Sequence, residues 1–452
     1  MKRSRSAWRY LWTAPDIRRK LLISLMILII YRFAAQVPVP GVDRNAIESI
    51  FQGGGAGANL LNLINMVTGG TIRQFSIMAM GVYPYITAQI IIQLLTPIIP
   101  SWQRRMESDP REGRKWMEKT TLYFSVIMAA VTAFGQIRMF SAFATVPIIP
   151  NFGFSGDQIL PSITIILAMT AGTMFAIWLG ELISEYGIRN QGLSLIIFAG
   201  IISQLPSTYV TLWQHEDVRW IGIGSILLIT LLTIFVIVYV QQGRRKVPVM
   251  YPGRRVGSRM SMPVKGTLPL QVNMAGMIPI IFGQAFLQFP AIISGLFVDS
   301  ETEWVANLAV RLGEWFGGQS NVYWGIYFLV VVGFAFFYTD VLFAQQNYGE
   351  NLKRAGAQIP GVSRGAPTQR YLTKVLRRIT LPGAIFLGVI AILPFLITQL
   401  IPPLAEFSRS TGGSFLINAT GLLIVVGVVR DTFFNIEAEL KVHGYDESLL
   451  VR

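Results

Sequence analysis

The sequence predicts an all-α polytopic membrane protein of about ten transmembrane helices, with a short re-entrant helix between the first two. Three observations carry that prediction. The chain of 452 residues is 52% hydrophobic and only 14% charged, and its mean hydropathy of +0.51 is too apolar for a soluble protein unless the excess faces lipid. Apolar runs long enough to cross a bilayer recur along its whole length. Basic residues alternate between rich and poor from one connecting segment to the next, as they do when cytoplasmic loops retain Lys and Arg.

Hydropathy places the spans near 21–37, 75–99, 118–140, 158–184, 192–209, 220–241, 272–294, 322–343, 378–401 and 415–430. The first follows a basic N-terminal segment, as a signal peptide would. Arg32 interrupts it and no small-residue cleavage site follows, so it reads as a retained span. Of the 38 Lys and Arg residues, 31 fall on the side of the N-terminus. Six, Arg44, Arg73, Arg138, Arg219, Arg311 and Arg409, fall opposite, and Arg32 lies within the first span. Both termini are therefore expected to be cytoplasmic.

Between the first two spans stands "ANLLNLINMVTGG" (Ala58 to Gly70). Its apolar part, Ala58 to Val67, reaches only about 15 Å as a helix, roughly half a bilayer core. Leu60, Leu61, Ile64 and Val67 can cover an apolar surface, while Asn59, Asn62 and Asn65 recur every three residues as a polar stripe. Glycines on both sides supply hinges.

Composition excludes several kinds of chemistry. The chain has no cysteine and two histidines, His215 and His443, which removes disulfides, thiolate metal sites and iron–sulfur clusters. No GxxxxGK[ST], HExxH or GxSxG occurs, so no cofactor and no catalytic residue is expected. Ionisable groups within the spans are scarce. Glu181, Glu185 and Asp340 lie near span ends, and Arg32 is the deepest. That scarcity argues against an ion-coupled transporter.

Two connecting segments are longer and more basic than orientation requires. Gln241 to Pro269 carries Arg244, Arg245, Arg254, Arg255 and Arg259, and Gln345 to Arg378 carries Lys353, Arg354, Arg364 and Arg370. Arginine reads phosphate and carboxylate in a bidentate manner, so these loops suit ribosomal RNA or an acidic protein surface; anionic lipid is the competing partner. Within the spans, Ile86 and Ile90, Leu193 and Ile197, and Ile278 and Ile281 form pairs one helical turn apart. Gln93, Asn273 and Asn418 are amides in apolar surroundings and require partner helices.

The stretches Ile17 to Asp43, "GVYPYITAQIIIQLL" (Gly81 to Leu95), "GLSLIIFAGI" (Gly192 to Ile201), "LPLQVNMAGMIPIIF" (Leu268 to Phe282), "YGENLKRAGAQIPG" (Tyr348 to Gly361) and "YDESLL" (Tyr445 to Leu450) resemble, in order, the SecY family of bacterial protein-conducting channel subunits. The resemblance implies two inverted, pseudo-symmetric halves clamped around an hourglass pore. The first, 1–210, would hold spans one to five and a plug helix at about 57–70; the second, 211–452, would hold spans six to ten and the cytoplasmic loops at about 242–271 and 344–378. It assigns Asn59, Leu60, Leu61, Asn62, Ile64, Asn65 and Val67 to the plug. Ile86, Ile90, Leu193, Ile197, Ile278, Ile281 and Ile424 become a constricting ring.

The same resemblance implies a sideways exit between the second and third spans and the seventh and eighth, with Gln93 and Asn273 at the seam. It implies SecE-like and SecG-like membrane subunits, the SecA motor ATPase and the ribosome as partners, and an unfolded, signal-bearing preprotein as passenger. The expected place is the bacterial plasma membrane. The chain departs from the family at "PGVSRG" (Pro360 to Gly365), where Ser363 stands at the usual arginine position, so Arg364 is expected to take over partner contact. A small-solute transporter and a ribosome-docking insertase scaffold without a pore are the rival functions.

Overall fold

The structure is a computed structural model. It describes residues 15–442 apart from 44–45, 48–74, 97, 144–147, 150–151, 154–155, 190, 204–205, 207–209, 211–212, 214–218, 253–254, 257–258, 261–263, 298–301, 317–319 and 401–418. The predicted plug, Asn59 to Val67, and Asn418 lie outside the described residues.

Each predicted span meets a helix. In chain order these are α1 (Pro15–Ala34), α2 (Tyr83–Leu95), α4 (Pro110–Phe143), α5 (Ile159–Tyr186), α6 (Gly192–Ile202), α7 (Arg219–Gln242), α8 (Ile278–Phe297), α10 (Asn321–Gln346), α12 (Ala366–Leu400) and α13 (Ala419–Val442). Shorter helices, α3 (Pro100–Ser108), α9 (Glu303–Phe316) and α11 (Tyr348–Arg354), join them. Among the described residues, helices over Arg111–Arg138, Ile159–Tyr186, Asn321–Arg354 and Ala366–Leu393 are each long and apolar enough to cross a membrane unaided. The protein is a multi-pass membrane protein, and rows of exposed apolar side chains such as Leu22, Met26, Ile29 and Phe33 on α1 or Leu228, Leu231, Leu232 and Phe235 on α7 face outward as lipid contact demands.

The second span departs from its expected bounds. The apolar run from Phe75 to Val82 is a series of turns, and the helix begins only at Tyr83. Pro84 suits a first helical turn, and Phe75 and Gly81 adopt positive φ (43° and 52°), which a helix forbids. Irregular backbone survives at membrane depth only inside protein; Phe75, Ser76, Met78, Ala79 and Met80 are accordingly buried. The strand-like segment before them satisfies their polar groups, with Val39 N–H donating to Phe75 O (2.9 Å) and Ile77 N–H to Val37 O (3.0 Å). After Leu95 the chain bends by 98° into α3.

Other bounds also shift. α13 continues to Val442 although its apolar part ends near residue 430, and α12 begins at Ala366, inside the segment read as a loop. Helical propensity does not stop where hydropathy does, since Lys, Arg and Glu are good helix formers. At 1.5 Å per residue, the 34 residues of α4 and 35 of α12 reach about 50 Å, so their basic N-terminal ends project roughly 20 Å past a bilayer core.

The helices pack in a pattern that repeats. The second span touches the third, the third the fourth, the fourth the fifth, and the first returns to the fifth (α2–α4, α4–α5, α5–α6, α1–α6). The same order recurs among the last five as α8–α10, α10–α12, α12–α13 and α7–α13. α6 meets α13 on one side and α8 meets α2 and α4 on the other. α1 is fastened to the end of α5 by Ser24, whose hydroxyl donates to Lys20 O (2.9 Å) and accepts from Ile188 N–H (3.2 Å).

The basic loops add structure to the helical body. β1 (Arg244–Tyr251) pairs antiparallel with β4 (Val264–Gln271), in register from Arg244 opposite Gln271 to Tyr251 opposite Val264. β2 (Arg255–Val256) and β3 (Arg259–Met260) pair between them. Alternation in "KVPV" and "TLPL" (Lys246 to Val249, Thr267 to Leu270) is the period-two signal for it.

Candidate functional site

The isoleucine pairs converge. Ile281 of α8 and Ile424 of α13 are buried in one apolar cluster, against which Ile86 of α2 and Leu193 and Ile197 of α6 pack. An adjoining cluster buries Ile90 of α2, with Ile86 and Ile278 packed on it. Ile86 belongs to both, so all seven residues singled out from sequence form one continuous apolar locus fed by four helices. Ile90, Ile281 and Ile424 are buried, whereas Ile86, Leu193, Ile197 and Ile278 keep part of their surface open.

Local sequence aims these side chains. Gly192 lies against the backbone of Gly180, with no room for a Cβ, which draws α6 onto α5 at the turn where Leu193 emerges. A Cβ at Gly180 would stand 2.9 Å from Leu193 Cδ2. On the other half, Gly276 (φ 65°) turns the chain into α8, and the buried Asn273 steadies that turn by donating from Nδ2 to Gly276 O (3.0 Å).

Beside this locus, α8 closes on α2 and α4. The seam is filled by Ile90, Ala275, Phe282 and Tyr338, with Leu94, Phe334 and Leu342 against them. Phe282 meets Tyr338 edge-on at 5.5 Å and Phe334 at 5.8 Å. Apolar patterning does not distinguish these aromatics from lipid-facing ones; their signal in the sequence is the i, i+4 pair Phe334 and Tyr338, with Phe282 one turn beyond Ile278. Gln93 is half-buried on α2.

The two basic loops share one core. Val247, Val249 and Leu270 of the hairpin bury against Phe343, Leu352, Ala357, Ile359, Leu372 and Leu376. Arg244, Arg245, Lys353, Arg354, Arg364 and Arg370 are exposed around that core. Arg255 and Arg259 lie on β2 and β3, and Arg254 falls outside the described residues. Arg244 also stands over the Phe434 ring at 6.0 Å. Lys353 and Arg354 approach Glu350 at 3.9 and 3.7 Å, exposed contacts that hold little energy. Arg364 sits in the turn between Gly361 (φ 80°) and Gly365 (φ 87°), where Thr368 Oγ1 donates to Ser363 O at 2.7 Å. Asp340 is held by Arg377, with Nη2 at 2.9 Å from Oδ2 and Nε at 3.1 Å.

A family model described as SecY matches residues 76–433, which takes in the apolar locus, the seam and both basic loops. The chain belongs to the SecY family. It is 35% identical to a protein translocase subunit SecY of Streptomyces scabiei, over 98% of this chain and 99% of that one. It is also 35% identical to one of Chlamydia muridarum, over 97% and 96%. Among solved structures, it superposes on one described as a protein conducting channel with a TM-score of 0.59 and 18% identity, covering 99% of this chain and all of the other. A second SecY structure, concerned with the plug domain and the closed channel, fits equally well. The SecY fold thus extends over nearly the whole chain.

Proposed function

We propose that this chain is the pore-forming subunit of a protein-conducting channel, passing unfolded, signal-bearing polypeptides across the membrane and releasing transmembrane segments sideways into lipid. The observation that carries this reading is the meeting of apolar, mostly β-branched side chains from α2, α6, α8 and α13 at one locus. Such a ring grips an extended chain of any sequence without specific hydrogen bonds, and it excludes water and ions when no chain is present.

The repeated packing order supports two halves, 1–210 and 211–452, with the ring between them. The stretch Asn59 to Val67 seals the resting pore from the side opposite the basic loops. The aromatic seam between α8 and α2 is the sideways exit, where a signal helix competes with Phe282 and Tyr338 for apolar contact. Gln93 and Asn273 flank it.

Movement is driven from outside the chain, by a translating ribosome or by SecA, since no hydrolytic motif is present. Both dock on the platform formed by the hairpin and α11, with Arg244, Arg245, Arg254, Arg255, Arg259, Lys353, Arg354, Arg364 and Arg370 as contacts. Arg364, exposed at the turn, takes the role vacated at Ser363. SecE-like and SecG-like subunits complete the assembly in a bacterial plasma membrane, with the termini and the platform on the cytoplasmic side.

The test is protease protection of a labelled preprotein in proteoliposomes containing this chain and a SecE-type partner, with SecA and ATP. Protection that requires the chain, ATP and the signal sequence is expected. Its absence beside a working translocon returns the function to the transporter or scaffold readings.

A further inference from the structure

The groove between α10 and α12 is built in two chemical layers. A cavity of about 570 Å³ is lined by Arg370, Lys374, Arg377 and Arg378 above and by Phe336 and Leu381 below. On α12 the spacings 370, 374, 377, 378 and 381 put these side chains on one helical face. Asp340 neutralises Arg377. Among the described residues, no ion pair engages Arg370, Lys374 or Arg378. The groove therefore keeps an excess of about three positive charges beside an apolar floor.

Helix length fixes its level. The stretch from Ile379 to Leu400 carries no charged side chain and reaches about 33 Å, which matches the ~30 Å hydrocarbon core. Arg377 and Arg378 consequently sit at the hydrocarbon boundary. Lys374 and Arg370 stand one and two turns out, at about 5.4 Å per turn, and Leu381 lies one turn in.

Resting on the membrane-spanning reading above, we propose that this groove binds an anionic glycerophospholipid, its phosphate held by Lys374, Arg378 and Arg370 and an acyl chain laid along Leu381 and Phe336. A phospholipid presents its charge and its hydrocarbon in this order and at these depths. RNA or an acidic protein approaching from the aqueous side meets the cations but has no counterpart for Leu381, and a free anion has no use for the floor. Two surface charges on a lipid phosphate correspond to an affinity change of about thirtyfold.

The experiment is native mass spectrometry of the purified full-length chain, titrated with dioleoylphosphatidylglycerol, dioleoylphosphatidylcholine or glycerol 3-phosphate. The wild type is expected to retain phosphatidylglycerol in preference to phosphatidylcholine. Its tightest adduct should weaken about thirtyfold in the Lys374→Gln, Arg378→Gln variant, survive in Lys374→Arg, and be unaffected by Arg245→Gln. An unchanged adduct in the double variant, equal retention of phosphatidylcholine, or displacement by glycerol 3-phosphate at equal concentration would overturn the proposal. A photoreactive acyl chain on phosphatidylglycerol, used with the wild-type chain alone, should label the peptide containing Leu381 or Phe336; labelling confined to other helices would also refute it. Because the readout is bound lipid, the result stands apart from whether the chain translocates protein.

Discussion

Met250 and Gln358 exchange both backbone hydrogen bonds, each nitrogen 2.8 Å from the other's carbonyl oxygen. The two basic loops, about a hundred residues apart in sequence, are thereby one body, with Val249 and Ile359 beside the bridge in its shared core. Replacing Gln358 by Pro removes one donor and leaves Met250 O unpaired, a cost of about 1–3 kcal/mol. Hydrogen exchange should accelerate across both loops together, and SecA binding should fall with it; acceleration confined to the second loop would show that the bridge does not couple them.

The ring is expected to hold back ions by being apolar, not by being tight. Ile281→Asn keeps much of the volume but gives water a partner at the constriction, so single-channel recordings should show leak far above wild type. Ile281→Val, which removes one methylene at a cost of roughly 0.5–1.5 kcal/mol, should stay sealed. Equal leak from both variants would mean that packing alone makes the seal.

At the seam, Phe282 meets Phe334 and Tyr338 on α10 edge-on and shares one buried cluster with Ile90 of α2. Phe282→Ala removes its aromatic contacts with α10 and part of the apolar cluster it shares with α2, a loss of the kind that costs about 3–5 kcal/mol. Part of that loss lowers the work of opening. Preproteins with weakened signal sequences should be exported better by this variant than by wild type, and no gain in their export would detach the aromatics from gating.

Gly192 leaves no space for a side chain against Gly180. Gly192→Ala must push α6 from α5 and carry Leu193 and Ile197 off the ring, since backbone cannot yield as a flexible side chain does. Lower accumulation or a reduced melting temperature is expected, whereas Gly180→Ala, which meets mainly the mobile ends of Leu193 and Ile196, should be milder.

Asp340 offers a test of the transporter rival. Its carboxylate is partly exposed and paired with the exposed Arg377, a surface arrangement that contributes less than about 1 kcal/mol. Asp340→Asn should leave export within about twofold of wild type. Loss of all activity would give that carboxylate the coupling role which its position argues against.

Among the described residues, hydropathy met a helix in each of its ten apolar runs, because long apolar runs answer to lipid. It failed where protein replaces lipid as the solvent. Phe75 to Val82 is apolar enough to extend a helix, yet its burial among α4 and α5 side chains let it abandon helical geometry. The isoleucines were legible through spacing and through the family resemblance. Phe282 and Tyr338 were not, since an aromatic in an apolar helix looks the same whether it faces lipid or a seam. The hairpin is masked by its charge: Arg244 to Lys246 has the composition of a solvated basic loop, while the Val247 and Val249 alternation that follows sets the strand.

The irregular run before Tyr83 has its counterpart in the break after Leu95, where α2 gives way to α3 through a sharp bend. α2 is therefore a rod of thirteen residues with a joint at each end, the inner joint clamped in the protein and the outer one at the surface. On the proposed reading, widening the gap to α8 swings this short rod about its clamped joint together with α4, on which it packs and which α8 also meets. On that reading, the wall beside a passing segment is one of the two shortest of the ten helices, α2 with thirteen residues and α6 with eleven.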